Sequence, residues 1–135
     1  MDEKILRTFE DSLRRCNAVR GFLDRFYERF LASSPKVRDK FALTDFVRQK
    51  RALRASFHFM LLAAQDEEKG PERYLKDLAE LHSRREFNIG SEFYDLWLDS
   101  LLATIQECDP QFGPEVEEAW ESVMMVGIRY MLSRY

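Results

Sequence analysis

The sequence has no long apolar run. None of its hydrophobic stretches approaches the roughly 20 residues that span a bilayer, and the opening MDEKILRTFED is an acidic amphipathic segment, unlike a signal peptide. A cytoplasmic address and no membrane partner are therefore expected. Cysteine is scarce. Cys16 and Cys108 stand far apart with no CxxC spacing, which argues against a disulfide framework and a zinc site and fits a reducing compartment. The glycines, at positions 21, 70, 90, 113 and 127, are too scattered for a GxGxxG or GxxxxGK[ST] loop, so the chain has no phosphate cradle of its own. Histidine occurs only at His58 and His82, with no HExxH or ExxH element, and Glu80 precedes His82 by two residues, on a different side of a helix. Net charge is −3 with both signs interleaved, which predicts no nucleic-acid partner. Strand signals are also missing: no segment alternates, no hairpin dipeptide occurs and no repeat period is visible.

What is present is helical amphipathicity. The 135 residues read as one domain, 1–135, long enough to bury roughly two thirds of its unfolded surface. Ile5, Phe9, Leu13 and Cys16 mark a first helix from about Asp2 to Cys16, and Val19 to Leu31 carries a broad apolar face ending near Ser33 and Ser34. Ser34-Pro35 is a cap followed by a first-turn proline, which starts a short helix toward Phe41. Thr44 and Asp45 can cap the next, which runs to about Gln65. Gly70-Pro71-Glu72 opens a helix to His82, Gly90-Ser91 one that stops at Asp109-Pro110, and Gly113-Pro114-Glu115 the last. The expected class is all-α. Gly127, inside the last helix, costs about 1 kcal/mol against alanine and implies close approach of another helix or of a flat ligand. Eleven phenylalanines favour a core built around something large and flat as well as ordinary packing.

Two polar residues interrupt apolar stripes. His82 follows Leu75 and Leu78 at the end of its helix, as a partly buried ring bonded to a carbonyl or as an inward-aimed metal ligand. Gln49 lies in the line Phe46, Gln49, Leu53, Phe57, Met60 and Ala64, either within reach of solvent near the helix start or facing a polar ligand in a cavity. His58 falls off that line and is read as solvent-facing. A nucleophilic pairing of Cys108 with His82 also stays open at this point.

Several motifs, in order, carry a family resemblance over nearly the whole chain. FYERFLASSPKVRDKF (Phe26 to Phe41), QKRAL (Gln49 to Leu53), LAELH ending at His82, EFYDLWLDSLLATI and the AW of Ala119-Trp120 resemble the globins, specifically single-domain bacterial haemoglobins and the globin domain of flavohaemoglobins. The resemblance implies a globin fold packed around a haem b, whose iron is held by His82 as proximal ligand. It implies Tyr27 and Gln49 as the distal pair facing dioxygen, nitric oxide or carbon monoxide, and Tyr94 near the proximal histidine. By helix face and by the same resemblance, Phe41, Leu53, Phe57, Leu78, Phe87 and Leu98 are the candidates for packing against the porphyrin. Arg84 and Arg85 are candidates for the propionates or are solvated cations at a helix end.

The sequence departs from that pattern in three places. The His82 to Tyr94 connection looks about two residues longer, the Phe41 to Gln49 segment looks shorter, and the carboxylate that supports the proximal histidine in flavohaemoglobins would align near Tyr135, where there is none. Reversible oxygen binding is the expected function and no catalytic residue is assigned. The alternatives are nitric oxide dioxygenation or weak peroxidase turnover with an external reductase, and a gas-sensing or haem-free interaction module.

Overall fold

Three of the helices begin at a capping side chain. The computed structural model describes residues 1–135 as seven α-helices and no strand. Helix α1 spans Glu3–Asn17, α2 Phe22–Ala32, α3 Pro35–Lys40, α4 Phe46–Gln65, α5 Gly70–His82, α6 Ser91–Cys108 and α7 Pro114–Ser133. Ser34 accepts from the Lys36 amide at 3.1 Å ahead of Pro35. Asp45, rather than Thr44, caps α4, accepting from the amides of Val47 and Arg48 at 3.0 and 3.4 Å. Each such cap satisfies an amide that would otherwise lack a helical partner. One boundary differs from expectation: Val19 lies in the turn before α2, because Gly21 adopts a left-handed conformation (φ 81°) that delays the helix to Phe22. No helix is long and apolar enough to cross a membrane.

Helix α7 runs along α1, α4 and α5, while α4 packs on α5 and α2 on α6. Two glycines set how closely these helices approach. A Cβ on Gly70 would fall 2.5 Å from the Ala63 carbonyl oxygen, so α5 begins in contact with the backbone of α4. A Cβ on Gly127 would sit 3.3 Å from the Met60 side chain, so what that glycine admits is helix α4 and not a flat ligand. At the centre the Trp120 ring meets Phe9 edge-on at 4.6 Å and Phe57 at 5.5 Å, all three without exposed surface.

Around that tryptophan runs a buried polar network. The Trp120 indole N–H donates to Ser12 Oγ (2.9 Å), and the Ser12 hydroxyl donates to Asp109 Oδ2 (2.6 Å). Arg15 donates to both oxygens of Asp109 through Nε and an η nitrogen, at 2.7 and 2.9 Å, and the Gln111 amide adds 2.8 Å. This ties α1 to the α6–α7 corner and to the middle of α7, and it satisfies a carboxylate with no exposed side-chain area. Burial pushes that carboxyl up. The hydrogen bonds from Arg15, Ser12 and Gln111 and the arginine charge outweigh burial and hold it below the ordinary carboxylate value.

Because the folded carboxyl is the stronger acid, the stabilisation is fully present above the unfolded value near pH 4 and is lost as pH falls through the lower folded value. Asp109→Ala is expected to cost about 3 kcal/mol at pH 7, the figure typical of breaking a buried pair, measured by urea unfolding at fixed m-value. It should also flatten the acid limb of the stability curve below pH 4. A loss under 1 kcal/mol with an unchanged acid limb would mean that the network holds nothing together.

Candidate functional site

The site is built from four helices and one turn. On one side, α2 supplies Tyr27, whose burial follows from its place beside Phe26 and Phe30 on the inward face. The Tyr27 ring meets Phe41 edge-on at 5.9 Å and Phe46 at 5.4 Å, and Phe41 stacks on Phe46 at 6.0 Å. Phe46 thus belongs to the aromatic wall around Tyr27. By sequence Phe46 falls on the inward stripe of α4 with no site role assigned, although its position one turn before Gln49 is a usable signal. Gln49 is half-buried on α4, and its side chain lies close enough to Tyr27 to act on the phenol. Leu53, one turn on, is buried at 7% exposure.

Burial raises the Tyr27 phenol to about 12, with Gln49 opposing the shift. The hydroxyl is therefore protonated throughout the neutral range and is available as a donor.

On the other side stands His82, the last residue of α5. Its Nδ1 lies 2.8 Å from the Leu78 carbonyl oxygen one turn earlier. A carbonyl only accepts, so Nδ1 carries the hydrogen and the neutral ring keeps its lone pair on Nε2. Burial lowers the pKa of this histidine, with the Leu78 bond opposing, which favours that neutral form. The ring is flanked by Phe87 edge-on at 5.9 Å and by Tyr94 at 6.4 Å. Tyr94 is buried, and its hydroxyl donates to the Met131 sulfur at 3.6 Å, not to the imidazole and not to a carboxylate.

The connection after His82 folds back on itself. The Phe87 amide bonds the Leu81 carbonyl (3.0 Å), the Asn88 amide the Ser83 carbonyl (2.8 Å) and the Ile89 amide the His82 carbonyl (3.0 Å). Asn88 takes the left-handed conformation (φ 54°) that this return requires and that asparagine tolerates. Lys40 Nζ, at the end of α3, donates to the Phe87 and Asn88 carbonyls at 2.8 and 3.2 Å, so the turn after His82 is fastened beside Phe41.

The remaining candidates are placed unevenly. Leu78 and Leu98 are half-buried, as apolar side chains at a cleft edge would be. Phe57 has no exposed area and packs on Trp120, so its ring belongs to the central core. Phe87 is 54% exposed, and its ring meets that of His82 edge-on. Arg84 lies over the Tyr135 ring at 5.0 Å, and Arg85 borders a cleft of about 350 Å³ between α5 and α7 whose lining does not include His82. His58 is exposed, as expected. The Cys108 thiol neighbours Arg25 (3.8 Å), and burial raises its pKa above the ordinary thiol value.

The buried phenol gives a direct check on the site's geometry. In a spectrophotometric titration of tyrosine, subtracting the Tyr27→Phe curve from that of the unmodified protein should leave one step near pH 12. A step near 10, the ordinary phenol value, would mean that the hydroxyl stands in water.

The fold is shared with known proteins. The globin family model matches residues 24–131. A crystal structure of a Pseudomonas aeruginosa PAO1 protein, described as structurally highly homologous to a human hemoglobin, is 40% identical, with 97% of this chain and 98% of that chain covered at a TM-score of 0.90. No curated protein matches the sequence. Seven helices in this order, an imidazole ending the fifth, and a family model that spans four fifths of the residues establish that the chain belongs to the globin family.

Proposed function

We propose that this globin holds one haem b with His82 as the protein ligand to iron and reversibly binds a small gas, dioxygen above all, on the Tyr27 and Gln49 side. The observation that carries the reading is the bond from His82 Nδ1 to the Leu78 carbonyl. Imidazole ligands to metals characteristically donate their other ring N–H to a carbonyl or carboxylate, which fixes the tautomer and aims the ring. The residues present also fit the group. Phe41, Phe46, Leu78 and Leu98 pack on the core yet keep apolar surface uncovered, and apolar area is worth about 25 cal/mol per Å² when a flat hydrophobic group covers it. Haem would supply an iron that takes a diatomic ligand reversibly.

The chain's own residues would do the rest. His82, kept neutral by burial and with its Nδ1–H fixed on the Leu78 carbonyl, presents Nε2 as a lone pair without first losing a proton. Tyr27, protonated and enclosed by Phe26, Phe41 and Phe46, donates a hydrogen bond to whichever ligand carries negative charge. Gln49 can donate a second from its amide. The aromatic wall excludes water and strengthens both bonds.

The choice of reversible binding over nitric oxide dioxygenation or peroxidase turnover rests on what supports His82. Its acceptor is a neutral carbonyl, and the neighbouring Tyr94 hydroxyl ends on a thioether, a weak acceptor. A carboxylate in either place would make the imidazole more electron-donating, and neither group bonds one. Buried thiols at Cys16 and Cys108 favour a cytoplasmic setting for this reading.

Tyr27→Phe is expected to speed dioxygen release ten- to a hundredfold, the equivalent of a charged hydrogen bond of roughly 1.5–3 kcal/mol, and to change carbon monoxide release far less. Flash photolysis of both complexes checks this. Equal changes for the two gases would remove the phenol from the mechanism and leave only an apolar pocket.

A further inference from the structure

Charge is not spread evenly over this fold. Seven of the chain's 21 cations but only two of its 24 acids lie between Lys36 and Arg54, so those 19 residues carry +5 and the rest of the chain −8. Lys50 is paired with Asp24 at 2.6 Å, and Lys40 is occupied by the carbonyls of the turn after His82. Lys36, Arg48, Arg51 and Arg54 are exposed and make no ion pair. Val47, Arg51, Arg54 and His58 follow one another at steps of four, three and four, and so share one exposed face of α4. Beside them, Leu43 in the α3–α4 turn is fully exposed, and Val47 is 65% exposed. Apolar side chains ringed by unpaired cations make the arrangement of a transient protein interface, an apolar centre within a charged rim.

We propose that this face, formed by α3, the α3–α4 turn and the outer side of α4, docks an acidic protein that delivers single electrons. The identification of the partner as an electron donor rests on the haem reading above; the docking itself does not. Charge complementarity calls for an acidic surface. The exposed Leu43 and Val47 favour a protein over a nucleic acid, whose phosphates offer them nothing. The position favours a redox partner. Arg48 and Lys50 flank Gln49, and Arg54 follows Leu53, so the helix that lines the pocket on one side bears the cations on the other. A docked donor would stand about one helix diameter, roughly 10 Å, from the pocket. These residues hold no phosphate cradle for a flavin or nicotinamide, so electrons must come from outside them. The step is one electron: the donor's reduced flavin is oxidised by one, and the ferric globin is reduced to ferrous.

The probe is a fluorescently labelled acidic flavin mononucleotide protein of the flavodoxin class, titrated by polarisation with the globin before and after haem loading. Binding is expected in both forms at 20 mM salt and should weaken at least tenfold at 200 mM, as for screened charges. Arg51→Glu with Arg54→Glu should weaken it at least tenfold at low salt, while Glu117→Lys with Glu121→Lys, two exposed positions of α7, should not. Stopped-flow reduction of the haem-loaded protein by the reduced probe should slow in the same order, by 10-fold or more, with reduction by dithionite equal in all variants. Binding that is insensitive to the arginine reversals would overturn the proposal, and so would a DNA duplex that displaces the probe at lower concentration than the probe binds. A protein that takes up no haem but still binds the probe through these arginines would sink the haem reading and the donor assignment, leaving the docking surface standing.

Discussion

The site depends on a hydrogen bond inside one helix turn. His82 ends α5, and its Nδ1–H is spent on the Leu78 carbonyl 2.8 Å away. Three consequences follow from that contact and from burial. The tautomer is fixed, the neutral form is favoured, and Nε2 is left as the ring's free lone pair. The side chain cannot swing away without giving up the bond and the flanking rings of Phe87 and Tyr94. The opposite wall is ordered by equally local means, since Phe41 and Phe46 bracket the phenol of Tyr27 and keep it protonated.

Those two walls are only as well placed as the helices that carry them. Asp109, sealed at the end of α6, is the centre that ties α1, α6 and α7 together through Ser12, Arg15 and Trp120. A buried charge is costly alone and tolerable when every lone pair is used, and Asp109 accepts four hydrogen bonds. On the other side of the bundle, Gly70 lets α5 start against the α4 backbone, which sets the approach of the helix ending in His82 to the helix bearing Gln49 and Leu53. The buried polar network and the closest helix approach thus both lie away from Tyr27 and its aromatic neighbours.

Much of this was readable before any coordinates. Periodicity, proline and the capping residues place all seven helices within a few residues, because each signal acts over three or four positions of chain. Gln49 and His82 stand out in the sequence as polar residues on apolar stripes and Tyr27 through the family resemblance; they lie on α4, at the end of α5 and on α2. Long-range matters were not legible. Nothing local to Asp109-Pro110 announces that its carboxylate meets Ser12 and Arg15 across the fold. Phe57 shares a stripe with Leu53, yet its ring turns to Trp120, because which neighbour a stripe residue meets depends on helix crossing. Phe87 reads as a packing residue by type, but it sits in a turn whose length and left-handed Asn88 hold it at the surface. The excess of cations between Lys36 and Arg54 can be counted along the chain, but which of them are exposed and unpaired appears only in the folded molecule.

The most direct measurement is the absorption spectrum of the purified protein after reconstitution with hemin, taken ferric, reduced and under carbon monoxide, beside that of His82→Ala at equal folded concentration. The account predicts an intense Soret band that shifts on reduction and again on carbon monoxide binding, and that is lost or reduced to the spectrum of loosely held hemin in the variant. A colourless protein, or a variant whose spectra match the original through all three states, would contradict it.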